Sequence, residues 1–324
     1  MIKYFSYRLL ALLPKILVIT IIIFIGIQLI PGDPISRTIP PEVYAKLNPH
    51  QLEELRTKLG LNDNLIVQYF RWLFDLLQGN FGYSLVTGGN IRDIIANRLP
   101  ATFELAAMGL TIAMVLGLVL GFISALKRNS IIDYTNTTLG MIGLSVPEFF
   151  FGLCAILIFA LTLHWFPVGG RMEFGKAAFF DRIQYLILPS FCLGISLIAT
   201  LMRYTRGSML DVLSKDYIMA ARSKGITEIN VNFRHGLRNA LIPIMVILVF
   251  RIPMLVGGTV VIENVFNYPG MGSLLLSSVS GSDMPVVMIS TLILAIAIMA
   301  ASFLVDIISA MLDPRIRFGS SKEA

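Results

Sequence analysis

Apolar residues gather in six long blocks along the chain, at 9–30, 101–126, 134–163, 183–202, 240–262 and 288–312. A helix needs about 20 consecutive, mostly apolar residues to cross the hydrocarbon core of a bilayer. Each block therefore predicts one transmembrane helix. Strands of an outer-membrane barrel would alternate apolar and polar positions in roughly ten-residue segments, and no such alternation is present. The pattern predicts an all-α, polytopic membrane protein with six transmembrane helices. The first block follows a short basic start, Lys3 and Arg8, as a signal peptide would. Its apolar run is too long for one, and it passes into Pro31-Gly32-Asp33-Pro34 without a small-x-small cleavage site. A retained anchor is expected.

Composition agrees. The 324 residues are 56% hydrophobic and 14% charged, where soluble domains are about 45–50% apolar and about 25% charged. This excludes an ordinary soluble enzyme and a disordered chain. The net charge of +6 is explained by basic cytoplasmic segments rather than by nucleic acid. With the N-terminus inside, segments 1–8, 127–133, 203–239 and 313–324 carry 14 Lys and Arg in 64 residues, and the outside segments carry 10 in 114. That excess follows the positive-inside rule and predicts that both termini are cytoplasmic. Cys154 and Cys192 both lie within apolar blocks and read as small buried hydrophobes.

The expected organisation is an N-terminal span (1–30), a partly helical extracytoplasmic subdomain (31–100) with an amphipathic stretch at 52–61, and a five-span core (101–324). That core contains a long cytoplasmic loop at 203–239. No phosphate loop is complete: Gly170, Gly175 and Lys176 approach one, but Ala177 stands where a hydroxyl would hold magnesium. His50, His164 and His235 lie far apart without metal-ligand spacing. No G-x-S-x-G nucleophile elbow occurs. No catalytic residue and no metal site are predicted.

Chemistry concentrates in two places. In the 203–239 loop, Ser214 can cap a short helix, Asp216 suits its positive end, Leu213 and Ile218 are spaced as a hydrophobic staple, and Gly225 can terminate it. Tyr217 and Ala221, four apart, are expected on one face. The small pair Ala220-Ala221 suits close approach by a partner's groove better than anchorage in lipid. Within the spans, charged residues are functional candidates. Arg251 has twelve uncharged residues before it and eleven after it. It is expected to line a wet translocation path or to pair with an acid such as Glu148, which follows the helix-kinking Pro147. Glu104, close to a membrane surface, is expected to snorkel or to cap its helix. Gly117 and Gly121 form a G-x-x-x-G that allows close helix packing.

The order Ala220-Ala221, Gly225, Leu237 resembles the EAA loop of ABC importer permeases. The string from Asp216 to Pro243 is similar to that of the dipeptide/oligopeptide/nickel branch. Pro31-Gly32-Asp33-Pro34, Leu99-Pro100-Ala101-Thr102, Asn267-Tyr268-Pro269-Gly270-Met271-Gly272, Asp283-Met284-Pro285-Val286 and Asp313-Pro314-Arg315-Ile316-Arg317 extend the likeness over nearly the whole chain. Met219 stands where the general motif has glutamate, His235 where it has isoleucine and Arg238 where it has proline. The resemblance implies a type I ABC importer permease fold in the plasma (inner) membrane of a prokaryote. It implies a second homologous permease subunit, two cytoplasmic ATPase subunits that hydrolyse the ATP, an extracytoplasmic substrate-binding protein, and no cofactor on this chain. In the family, Tyr217, Ala220, Ala221 and Gly225 fall in the ATPase-coupling segment. Di- or oligopeptides are the implied cargo; nickel or another metal chelate, and glutathione, are alternatives that these motifs do not separate. A self-sufficient secondary transporter and an intramembrane enzyme are the readings from other classes. The absence of a clear inverted repeat speaks against the first and the absence of a nucleophile–base pair against the second.

Overall fold

The computed structural model describes residues 8–30, 33, 35, 39, 41–172 and 179–312. Lys3, Pro31, Gly32, Pro34, Gly175, Lys176 and the 313–317 motif lie outside the described residues. Among the described residues every element is helical except a single antiparallel bridge between Tyr83 and Asn90. The main helices are α1 (Leu12–Gln28), α2 (Pro49–Lys58), α3 (Leu65–Leu77), α4 (Ile91–Leu126), α5 (Ile131–Ser145), α6 (Glu148–Ala155), α7 (Phe179–Leu213), α8 (Asp216–Ser223), α9 (Arg238–Val265), α10 (Met271–Ser280) and α11 (Met284–Leu312). Among the described residues, four helices are long and apolar enough to cross a membrane, and up to six spans result if each of two bent pairs counts as one.

Three differences from the sequence pattern have physical causes. The third block is not straight: α5 and α6, the latter continued by π turns at Ile156–Thr162, meet at 107°. Pro147 disfavours helical backbone at Val146, which is extended at φ −93°, ψ 132°. The second span starts well before its apolar block, since Ile91–Leu99 is already helical ahead of Pro100. The 203–239 segment is mostly helix, because α7 runs on to Leu213 and Glu228–Leu237 is helical up to the start of α9. The amphipathic stretch expected at 52–61 is present as α2. It starts with Pro49 in its first turn, and the Asn48 amide donates to Gln51 Oε1 at 2.9 Å. Helix α3 is new.

The chain divides into two compact units, Met1–Thr102 with Pro269–Met299, and Phe103–Tyr268 with Ala300–Ala324. In the first, α3 rests on α1 through aromatic contacts. The Phe24 ring centroid lies 5.5 Å from that of Tyr69 and 5.9 Å from that of Trp72, and the Tyr69 and Thr20 hydroxyls are 2.8 Å apart. Its core joins Ile91 and Ile95 of α4, Met271 and Leu274 of α10, and Val286 and Ile289 of α11. Two buried polar groups fix the connections. Thr102 Oγ1 accepts from the Met271 amide at 2.7 Å, satisfying an orphan donor at the start of α10. The Asp283 carboxylate accepts from the Ser84 hydroxyl and from the Leu85 amide at 3.1 Å.

In the second unit α7 is the axis, and α5, α6 and α9 pack on it. Its apolar window is 72% buried, against 6% for α1. Gly117 and Gly121 of α4 press against α7, where an added Cβ would sit 2.6 Å from Leu201 Cβ and 2.5 Å from the Met202 carbonyl. The G-x-x-x-G is a packing device, as expected.

Candidate functional site

Helix α8 is assembled from local signals, some of them different from those expected. Lys215, not Ser214, occupies the N-cap position with extended backbone. The Ser214 hydroxyl donates instead to the Asp211 carbonyl at 2.8 Å, closing the end of α7. The C-terminus is a complete Schellman motif: the Ile226 amide donates to the Ala221 carbonyl and the Gly225 amide to the Arg222 carbonyl. Gly225 has φ +76°, a left-handed conformation that only glycine adopts cheaply.

The buried stripe of α8 is Ile218 and Ala221, packed with Val231, Val212, Leu213 and Ile226. Leu213 and Ile218 meet in one cluster, although with Lys215 at the N-cap they no longer hold the N′ and N4 positions of a staple, and Tyr217 and Ala221 do not share a face toward solvent. Ala221 turns into the chain, whereas Tyr217, Ala220, Arg222 and Ser223 are exposed. Tyr217 Oη accepts from Asn239 Nδ2 at 3.4 Å, and Arg222 pairs with Glu228 at 2.8 Å. Met219, Ile229 and Phe233 are exposed as well. Large apolar side chains on a segment between two spans make a surface suited to a protein partner.

The second feature is a cavity of about 520 Å³ lined by Glu148, Ser196, Thr200, Arg251 and Met254 among apolar residues. Glu148 stands in the first turn of α6, directly after the bend, and Arg251 lies midway along α9. Ser196 Oγ donates to Glu148 Oε1 at 2.7 Å, and Arg251 Nη1 donates to Met254 Sδ at 3.2 Å. The two charged residues line one cavity, and the ion pair that was the alternative expectation is not formed.

Two ion-pair centres were not legible in the sequence. Glu104 does not cap its helix, which starts at Ile91. It accepts from Arg171 through Nε at 3.0 Å and Nη2 at 2.7 Å, from Arg182 at 3.2 Å, and from the Tyr268 hydroxyl at 3.5 Å. The Glu104 hydrogen bond raises the Arg171 pKa further; burial first, and then the charge of Glu104, push the Tyr268 phenol up. Asp133, almost fully buried, holds Arg206 through contacts of 2.6 and 2.8 Å. Among the described residues, no group of three His, Cys, Asp or Glu side chains could hold a metal ion.

Residues 117–318 match the family described as the binding-protein-dependent transport system inner membrane component, and residues 1–106 match its N-terminal companion. The chain is 41% identical over 323 residues to the oligopeptide transport system permease protein AppB of Bacillus subtilis, covering 98% of this chain and 100% of that one. It is 35% identical over 318 residues to the glutathione transport system permease protein GsiC of Escherichia coli K12, again covering 98% and 100%. Among solved structures it is similar to the MetNI methionine ABC transporter in an inward-facing form. The TM-score is 0.52 at 18% identity, covering 66% of this chain and 95% of that one, so the shared property is the fold. The chain is thus a multi-pass inner-membrane protein with the type I permease fold, and it belongs to the peptide family of ABC importer permeases, the inner-membrane components of binding-protein-dependent transport systems.

Proposed function

We propose that this permease carries di- or oligopeptides inward as one of two homologous membrane subunits. Two cytoplasmic ATPase subunits hydrolyse the ATP and an extracytoplasmic binding protein delivers the cargo. The chain itself catalyses no reaction and holds no cofactor. Its 31–100 segment faces outward, and both termini and the 203–239 segment face the cytoplasm. The likeness to an oligopeptide permease along the whole chain carries the cargo reading. The glutathione permease is compatible with it, since glutathione is itself a small peptide.

In this reading α8 couples the ATPases to the membrane. Tyr217 and Ala220 form the docking surface, Ala221 anchors the helix to the chain, and Gly225 ends it. Arg251 and Glu148 line the path. The exposed apolar side chains of Met219, Ile229 and Phe233 support the docking role, and rocking of packed helices is the motion such a contact can drive. Ala220→Arg alters only the exposed face of α8. It is expected to abolish peptide uptake and to strip the ATPase from the purified complex, while the second permease stays bound. Normal uptake with the ATPase retained would overturn the docking assignment.

A further inference from the structure

Two acids of the second unit, Glu104 and Asp133, are met by arginine forks from Arg171 and Arg206. Glu148 and Arg251 are not joined in this way. They line one cavity, yet the guanidinium's hydrogen-bonding contact is a thioether, a weak acceptor, and the carboxylate's is a neutral hydroxyl. A lipid-facing arginine at this depth is costly, and an open acid beside it adds to the cost. A structural role would be met by closing the pair.

We infer that the cavity is a transit site for a zwitterion, in which Arg251 takes a carboxylate and Glu148 an ammonium group. The inference rests on the proposal that these residues line the path. Every unblocked peptide carries those two charges at its ends, whatever its side chains. The rest of the lining suits that indifference: Leu144, Leu193, Leu197 and Leu255 offer an apolar wall, and Met254 is flexible enough to repack around different side chains. The volume of about 520 Å³ falls in the range of small-ligand sites. Charge-assisted contacts at both ends would orient the cargo. The site must still bind weakly, because cargo in transit has to leave.

The test uses the complete transporter, purified with its second permease and ATPases, and a tripeptide bearing a photoreactive diazirine at its central residue. Illumination should label the segments around Leu197 and Met254. Unblocked tripeptide should displace the label about tenfold better than its N-acetylated or C-amidated forms, the loss expected for one charged hydrogen bond. In Arg251→Gln the penalty for the C-terminal amide should vanish, and in Glu148→Gln the penalty for N-acetylation. The competition with the unaltered chain depends on no variant folding. Displacement that ignores both end groups would sink the zwitterion site and leave the path reading standing. Absence of label in the cavity would sink both. An Arg251→Gln complex that has lost the second permease would assign the guanidinium to the subunit interface and overturn its role toward carboxylate.

Discussion

Single side chains carry the sharpest expectations. Gly225 at φ +76° has no atom within 4 Å of where a Cβ would stand, so a substitution there meets backbone strain and no clash. Gly225→Val should cost about 1–2 kcal/mol and lower uptake, whereas Gly225→Asn, which tolerates this conformation, should keep most of it. Equal activity of the two variants would show that the left-handed terminus is dispensable. Arg206→Gln leaves a buried carboxylate with a weaker partner. Because Arg206 is 31% exposed, the loss should be about 2 kcal/mol, read as a lower midpoint for heat inactivation of the complex. Asp33 is a pH probe. Burial pushes its carboxyl up, but the Ile35 amide, Arg56 and Tyr44 together hold it below the ordinary value of 3.8. A depressed carboxyl stabilises the fold above its ordinary pKa and loses that effect as pH falls through the folded value. Hydrogen exchange over 41–61, corrected for the intrinsic rate, should therefore stay flat down to pH 3.8 and rise only below it. A rise at higher pH would contradict the assignment. The charges themselves stood out in the sequence, but their partners did not. Arg171 and Arg182 lie 67 and 78 residues from Glu104, and one sequence contains nothing that links positions so far apart.

Whole elements were legible where local chemistry decides them. The termination of α8 at Gly225 and the packing of Leu213 against the Ile218 cluster follow from neighbours in sequence. The N-cap did not, because the choice between Ser214 and Lys215 depends on how α7 ends, and the hydroxyl was used there. Helix α3 was missed for another reason. Its apolar positions cover most of its circumference, leaving only a narrow stripe of Gln68, Arg71 and Asp75, and thirteen residues are too few to read as a span. The bend between α5 and α6 had a visible cause in Pro147, but its size of 107° came from the fold. That division can be measured. Spin labels at the exposed Leu139 and Leu157 report the distance across the bend. In Pro147→Ala the restriction on Val146 is gone, so the labels should move apart and uptake should fall as Glu148 leaves the cavity. An unchanged distance would mean that packing on α7, rather than the proline, holds the bend.

At the scale of the molecule each candidate span among the described residues falls on an apolar block, because the bilayer admits only backbones that satisfy their own hydrogen bonds. Their ends were less certain, since α4 and α7 continue as helix well beyond the apolar residues. Lipid sets how long a span must be, whereas protein contacts set where the helix stops. Orientation rests on a different quantity, the excess of Lys and Arg in the segments read as cytoplasmic. Seven of those residues lie in 203–239, and none lies in 263–287. Asn90, Ser280 and Ser223 are all exposed, so each can carry a cysteine reporter in a chain whose Cys154 and Cys192 have been replaced. In intact cells an impermeant maleimide should modify the reporters at 90 and 280 at once. The reporter at 223 should react only after the membrane is permeabilised, and binding of the ATPase should then slow it, because Ser223 belongs to the docking helix. Labelling of position 223 from outside would invert the topology and remove α8 from any contact with an ATPase. Labelling from inside without protection by the ATPase would keep the topology and move the coupling contact to another segment.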